Sequence, residues 1–252
     1  MSKANLDIVS VIPARSGSKG VPGKNLRLLG DVPLFVWSIM CSRKSTRINQ
    51  TIVSTDSQEY AEVARKWGAD VPFLRPDSIS QDNSTDLDFV LHLLSFLEKT
   101  SAIPDLLIHL RPTTPLRDPS IVDTAIESVI ENYEQNTALR SVHEMSESAY
   151  KSFEIGKNNK LVSTFTKNES LDSSNMNRQN FPPTYTANGY VDILFPDHIL
   201  ETGTLHGNSV KPFITDSVSE VDSESDFELL QMQLKISPNL KNQIFGANNG
   251  GL

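Results

Sequence analysis

Two short runs constrain the fold more than anything else in the chain. LDIVSVIP at 6–13 and DLLIHL at 105–110 are apolar almost throughout, with none of the alternation that marks a half-solvated strand. Strands of that kind are buried on both faces, which is the condition of a parallel sheet covered by helices above and below. The segments between and after these runs have helical character. Pro33 to Arg43 brings Leu34, Trp37, Ile39 and Met40 toward one side. Gln50–Ser54 reads as a second strand. Asp56, with Glu59 three residues on, reads as the start of a helix that runs to Trp67 and stops at Gly68. A short strand near Val71–Leu74, helices over Thr85–Leu97 and Ser120–Glu131, and a strand near Thr137–Val142 continue the alternation. The expected architecture is α/β, a doubly wound and mostly parallel sheet, whose ligands bind at the carboxyl ends of the strands.

The alternation then breaks. Tyr150 to Thr186 is rich in Lys, Asn and Ser, and Phe153–Ile155 and Leu161–Phe165 flank the turn GKNNK, which predicts an inserted hairpin. Strand character returns over Ala187–Phe195. A last helix follows the acidic stretch SEVDSESD and covers Phe227–Leu234, with Ser223 or Ser225 as its cap. The chain reads as one domain over 1–252, with the insertion at 150–186 inside it.

Charge is spread unevenly. No acid lies between Asp7 and Asp31, and the same interval carries Arg15, Lys19, Lys24 and Arg27, so this stretch is +4 in a chain of net charge −8 and the remainder is −12. A basic island in an acidic protein suits a single anionic ligand and excludes a broad nucleic-acid surface. No apolar run approaches the ~20 residues of a membrane span. The N-terminus lacks the pattern of a signal peptide, and the single cysteine, Cys41, suits a reducing, cytoplasmic setting.

The island sits on the loop after the first strand, IPARSGSKGVPGKN at 12–25. Small residues there let backbone amides approach a ligand, and the cations neutralise phosphate charge. Two familiar phosphate motifs fail. Gly23-Lys24 is followed by Asn25, and Ser18 stands where a Walker loop needs its first glycine. The dinucleotide pattern is broken because Lys19 follows two after Gly17.

IPARSGSKGVPGKN resembles the opening signature of the acylneuraminate cytidylyltransferases, which join CTP to a nine-carbon 2-keto sugar acid and release pyrophosphate. The resemblance recurs in order at IVSTD (52–56), Arg75-Pro76, RPTTPLR (111–117), Arg178-Gln179, Asn188-Gly189 and EVDSESD (220–226). Synthetases for the eight-carbon acid Kdo typically read S-T-R-L-P-G-K-P in the loop. This chain has Ser18-Lys19-Gly20-Val21-Pro22-Gly23-Lys24-Asn25 there, which favours the nine-carbon branch.

The resemblance implies roles. Arg15, Ser18, Lys19 and Lys24 would hold the triphosphate, with Asn25 near the nucleotide and Lys19 the first choice for stabilising charge on the departing pyrophosphate. Arg75, Asp86 and Thr113 would lie on the nucleotide side. Arg111, Thr114, Arg178, Gln179, Asn188 and Gly189 would contact the sugar acid. Asp222 and Glu220 would hold Mg²⁺, as a variant of the family's paired aspartates; Arg15, Lys19 and Asp222 are the expected catalytic set. Position 111 is commonly Gln in the family, and an arginine expected two residues before Asn-Gly is Thr186 here. An arginine at 111 offers a planar fork suited to a carboxylate. His109, inside an apolar strand, reads as a core histidine. The insertion resembles the family's dimerisation arm, so a homodimer is expected. Two other readings fit the same residues: a CMP-Kdo synthetase or other sugar nucleotidyltransferase, and a nucleotide-binding module without catalysis.

Overall fold

The computed structural model describes residues 6–17, 20–100, 102–131, 133–165 and 171–246. Its main sheet contains β1 (Ile8–Pro13), β4 (Gln50–Ser54), β5 (Leu106–His109), β6 (Ala138–Glu144), β9 (Tyr185–Leu194) and β10 (Val210–Ile214). Their order across the sheet is β10-β6-β9-β5-β1-β4. The β1–β4, β1–β5 and β6–β10 pairs are parallel, and β9 runs antiparallel to both β5 and β6. Two small hairpins complete the strands: β2 (Leu28–Leu29) with β3 (Val32–Pro33), and β7 (Phe153–Ile155) with β8 (Leu161–Ser163). The α/β, mostly parallel architecture read from the apolar runs is the one observed.

β1 shows why the run 6–13 carries so little polarity. Ile8 and Ile12 belong to a core shared with α1 (Leu34–Lys44) and α4 (Pro119–Ile130). Val9 and Val11, on the opposite face, pack with α3 (Asp86–Thr100). Ser10, the one polar residue within the strand, is buried and satisfied by a chain of hydroxyls, with Ser42 Oγ at 2.6 Å and Ser42 in turn 2.7 Å from Thr51. α1 is buried along nearly all of its length. Its Trp37 donates to the Leu29 carbonyl and meets Phe245 edge-on with ring centres 4.8 Å apart. A fully buried aromatic of this size contributes about 2–3 kcal/mol through its area.

Three expectations need correction. The cap of α2 (Gln58–Lys66) is Ser57, whose hydroxyl accepts from the Tyr60 amide, and not Asp56. Asp56 is engaged elsewhere: Ser16 donates to it through both its amide and its hydroxyl, at 2.8 and 2.9 Å. Val71–Leu74 forms no strand; Asp70 alone bridges to Ile52 of β4, and the chain then turns toward Arg75. The inserted segment is shorter than 150–186 implies, because Tyr185 and Thr186 already pair with Glu144 and His143 as part of β9. α5 (Pro196–Thr202), β10 and α7 (Pro238–Phe245) are elements for which the sequence supplied no separate expectation.

The crevice follows from this order. β1 sends the chain to β4 on one side and receives β5 on the other, so the carboxyl ends of β1 and β5 part around a gap, the usual place for a ligand in an open α/β sheet.

Candidate functional site

The loop after β1 is tied down at its start by the Ser16–Asp56 pair, and Asn25 Nδ2 donates to the Arg15 carbonyl at 3.0 Å. Gly20 is a close approach: a Cβ on it would lie 2.4 Å from the Asp222 carbonyl oxygen, so only glycine lets the loop touch this distant segment. Gly23, at φ +62°, opens the short turn Lys24–Leu26.

Lys24 joins the same two segments. Its Nζ donates to the Val221 carbonyl at 2.6 Å and stands 3.7 Å from the Asp222 carboxylate. Val221 is also held from the other side, its amide donating to the Thr113 carbonyl at 2.8 Å. Behind it, α6 (Glu224–Ile236) begins with a reciprocal cap in which Ser223 and Asp226 exchange hydrogen bonds, and Asp226 also accepts from the Asp222 amide. Thus Val221 is pinned while the Asp222 side chain, 76% exposed, projects into the opening above Lys24, whose side chain is 13% exposed. Burial lowers the Lys24 ammonium, and Asp222 beside it opposes that shift.

Arg15, Gly20, Lys24, Asn25, Thr113 and Asp222 are among the residues lining a cleft of about 390 Å³. Arg15 pairs with Asp82 across it at 2.9 Å. A second opening of about 430 Å³ shares Arg15 and Asp82 and continues past Ser16, Gly17 and Asp56. Ser18 and Lys19, expected in this loop, lie outside the described residues.

The other expected residues fall into three groups. Arg75 is buried beneath the end of β4, donating to Ser54 Oγ and to the Ser54 carbonyl, with its guanidinium over the Phe89 ring; burial lowers it to about 10. Arg111 spends its fork on the protein's own carboxylates, Asp86 at 2.5 Å and Asp192 at 2.7 Å. Burial raises Asp86, but His109 and Arg111 bring it below the ordinary carboxylate value.

Thr114, Gly189, Glu220 and Arg111 meet at one point. A Cβ on Gly189, whose φ is +62°, would come within 3.0 Å of Thr114 Oγ1 and 3.2 Å of Glu220 Oε1. Burial raises the Glu220 carboxyl, and the Asp222 charge adds to this. Asn188 is buried, donating to Thr215 Oγ1 and accepting from the Tyr190 amide.

Arg178 and Gln179 stand apart from these within the chain. They line a separate pocket of about 230 Å³ on the inserted segment, where Arg178 pairs with Glu144 at 2.7 Å.

His109 is fully buried and held neutral, its pKa lowered to about 4 by burial, as a core histidine should be. The sequence gives Arg117 no role beyond its place at the end of RPTTPLR. It is fully buried and donates to the Tyr190, Arg111 and Gly189 carbonyls and to Ser38 Oγ, so it locks the loop after β5 onto β9 and α1. Asp192 was missed as well, although a carboxylate inside GYVDILF is a visible exception in an apolar strand.

A family model described as Cytidylyltransferase matches residues 9–234. The chain is 30% identical over 233 residues to a CMP-N,N'-diacetyllegionaminic acid synthase of Legionella pneumophila, covering 91% of this chain and 97% of the relative. It is 32% identical over 226 residues to the N-acylneuraminate cytidylyltransferase of Escherichia coli, covering 88% of this chain and 51% of that protein. Among solved structures, a CMP:2-keto-3-deoxy-manno-octonic acid synthetase complexed with CTP superposes with a TM-score of 0.66 at 14% identity, covering 92% of this chain and 99% of the other, a likeness of fold.

Proposed function

Because the chain belongs to the cytidylyltransferase family, we propose that it transfers CMP from CTP to the anomeric 2-hydroxyl of a nine-carbon 2-keto sugar acid of the sialic, legionaminic or pseudaminic type. The observation that carries this reading is the cleft where Arg15, Lys24, Asn25 and Thr113 face Asp222. The curated relatives named for CMP-legionaminic and N-acylneuraminate chemistry support the choice of acid. The new bond joins the sugar oxygen to the α-phosphorus, the α–β phosphoanhydride breaks, pyrophosphate departs and the hydroxyl proton passes to water. Such a transfer asks for positioning and charge stabilisation more than for covalent help.

Arg15, Ser18, Lys19 and Lys24 bind the triphosphate, and Asn25 holds the loop against it. Cations fixed where charge grows on the leaving pyrophosphate favour the transition state over the ground state. Arg75, Asp86 and Thr113 bound the nucleotide side. Thr114, Asn188 and Gly189 shape the acid side, with Arg111 held between Asp86 and Asp192 beside them.

Magnesium is the metal this family implies. Among the described residues no group of three His, Cys, Asp or Glu side chains converges to hold an ion alone. Mg²⁺ on a nucleotide needs only one or two carboxylates, because phosphate oxygens and water supply the rest. The exposed Asp222 and the half-buried Glu220, near enough for Asp222 to raise its carboxyl, fit that donor set. Bound there, the ion would neutralise phosphate charge.

Arg178 and Gln179 sit on an arm whose Phe153, Ile155, Leu161 and Phe165 are exposed, with Ile155 at 75%. An apolar face of this kind supports a homodimer in which the arm delivers these two residues to the partner's acid site; the check is molecular mass in solution at assay concentration. No described helix is long and apolar enough to cross a membrane, and use of CTP is consistent with a cytoplasmic enzyme.

The test is pyrophosphate release with CTP and Mg²⁺ against N-acetylneuraminic, di-N-acetyllegionaminic, pseudaminic and Kdo acids. Release with at least one nine-carbon acid and little with Kdo is expected. Release only with Kdo, or CTP binding with no release for any acid, overturns the reading.

A further inference from the structure

The cleft proposed for the triphosphate contains a carboxylate of the protein's own. Asp82 lines the opening of about 390 Å³ together with Arg15, Lys24 and Asn25. Its Oδ1 accepts from Arg15 Nη1 at 2.9 Å. The same two residues also line the neighbouring opening of about 430 Å³, beside Ser16, Gly17 and Gln81. The Arg15–Asp82 pair therefore stands where the two openings meet.

Both partners have fixed backbones. On one side Ser16 donates to Asp56 through its amide and its hydroxyl, and Asn25 Nδ2 donates to the Arg15 carbonyl. On the other, the Gln81 amide donates to Ser84 Oγ at 2.9 Å and the Ser84 amide donates back to the Gln81 carbonyl at 3.1 Å. Gln81 Nε2 adds a bond to the Asp77 carbonyl at 2.9 Å. Anchored in this way, the pair can open only by rotation of its side chains. Those side chains are 31% and 44% exposed, so water reaches the pair and its own contribution is small.

Phosphate is the stronger partner for a guanidinium, because it can take two parallel N–H bonds, whereas Arg15 holds Asp82 through one nitrogen. Once phosphate reaches Arg15, an Asp82 left in place would face like charge at close range. The second opening gives its side chain room to turn away. Asp56, which also lines that opening, already has its carboxylate matched by the two Ser16 donors.

We propose that Asp82 is an internal competitor for Arg15. It occupies the guanidinium in the free protein, gives way to the phosphates of the bound nucleotide, and takes Arg15 back as pyrophosphate leaves. The inference rests on the proposed use of CTP, and of Arg15 to bind its triphosphate, and gives Asp82 a role that reading does not. The exchange replaces one anionic partner of Arg15 by another and changes no covalent bond. Its consequence follows from population arithmetic: a site whose competent state is only partly populated binds more weakly by that fraction. Asp82 thus keeps the affinity for phosphate below what the cations alone would set, and so favours departure of pyrophosphate.

The test is calorimetric titration of wild type, Asp82→Asn, Arg15→Ala and the double variant with CTP and with inorganic pyrophosphate, each with Mg²⁺ and without sugar acid. Asparagine keeps the size of aspartate and removes its charge at an exposed position, so the melting temperature is expected to stay at the wild-type value. Asp82→Asn is expected to bind both ligands about fivefold more tightly, the upper range for an exposed pair. In the Arg15→Ala background the same change is expected to give less than about a twofold gain. Equal or weaker binding by Asp82→Asn would show that the carboxylate supports the site, and overturns the competition while leaving the reaction in place. A gain of the same size in both backgrounds would be general relief of negative charge and overturns it too. If wild type binds no CTP, the functional reading has failed and the competition falls with it.

Discussion

The cleft at Lys24 and the cluster of side chains around the buried Asp192 both carry charge, and they deploy it differently. In the cleft, Arg15 and Lys24 are each close to one carboxylate, Asp82 and Asp222, both substantially exposed, and Lys19 and Arg27 of the same basic stretch follow nearby in sequence. Around Asp192, Arg111 lies between two carboxylates, one of them fully buried. Exposed pairs contribute little and exchange partners readily. Buried ones are kept because breaking them leaves a charge stranded. The first region therefore suits an incoming anion, as proposed, and the second holds its own ions in place. Variants in the buried packing around Asp192 should lower stability, whereas variants in the cleft should act chiefly on activity.

The largest effect is expected from Arg117→Met. The change strands the Tyr190 and Gly189 carbonyls, while the Arg111 carbonyl and the Ser38 hydroxyl keep their bond to each other, and at about 2 kcal/mol for each buried group left unpaired it should remove about 4 kcal/mol of stability. Urea denaturation measures this, and a wild-type midpoint would erase the distinction between the two regions.

Acid should act next, and also on the buried packing around Asp192, where His109 is its cross-strand partner. Burial lowers His109 to about 4 from an ordinary 6.5. Above pH 6.5 the ring is neutral whether the chain is folded or not, and its contribution is complete. Between 6.5 and 4 the unfolded chain takes up the proton first, so stability falls as pH falls, by up to about 3 kcal/mol in all. Melting temperature followed from pH 7.5 to 4.5 should decline, and His109→Leu should flatten the decline.

In the cleft, Lys24→Ala should lower kcat about 100-fold, equivalent to about 2.7 kcal/mol of transition-state stabilisation, with a stability loss of only about 1 kcal/mol from its bond to the Val221 carbonyl. A smaller loss, about tenfold, is expected for Asp222→Asn, together with a higher Mg²⁺ requirement. A Mg²⁺ titration that superposes on wild type would remove Asp222 from the proposed metal site.

The two regions also differ in how far the sequence reveals them. The strand at 6–13, the small-residue loop and its cations are contiguous, so periodicity and spacing are enough to locate them. Asp222 is 198 residues from Lys24, and residue spacing alone gives no reason for the two to meet. What joins them is Gly20 against the Asp222 backbone and the bond from Lys24 to Val221, both products of tertiary folding. The charge cluster at Asp192 is less legible still. Arg140, Asp192 and His206 come from three separate segments and acquire meaning only through the register of β9 between β5 and β6. An antiparallel strand inserted in a parallel sheet leaves no mark in an apolar run such as GYVDILF, whose only hint is its single acid. Asp56 misleads for a related reason. Its type suits a helix cap, but Ser16, 40 residues earlier, claims the carboxylate and Ser57 takes the cap.

The most direct test of the central claim is to map where CTP binds. Backbone amide shifts of the isotopically labelled protein, recorded on titration with CTP and Mg²⁺, should move at Arg15–Asn25, at Thr113 and from Glu220 to Asp222, and should be nearly silent at Arg178 and on α7. Shifts concentrated away from the loop after β1, or none at saturating CTP, would contradict the assignment of this cleft to the nucleotide.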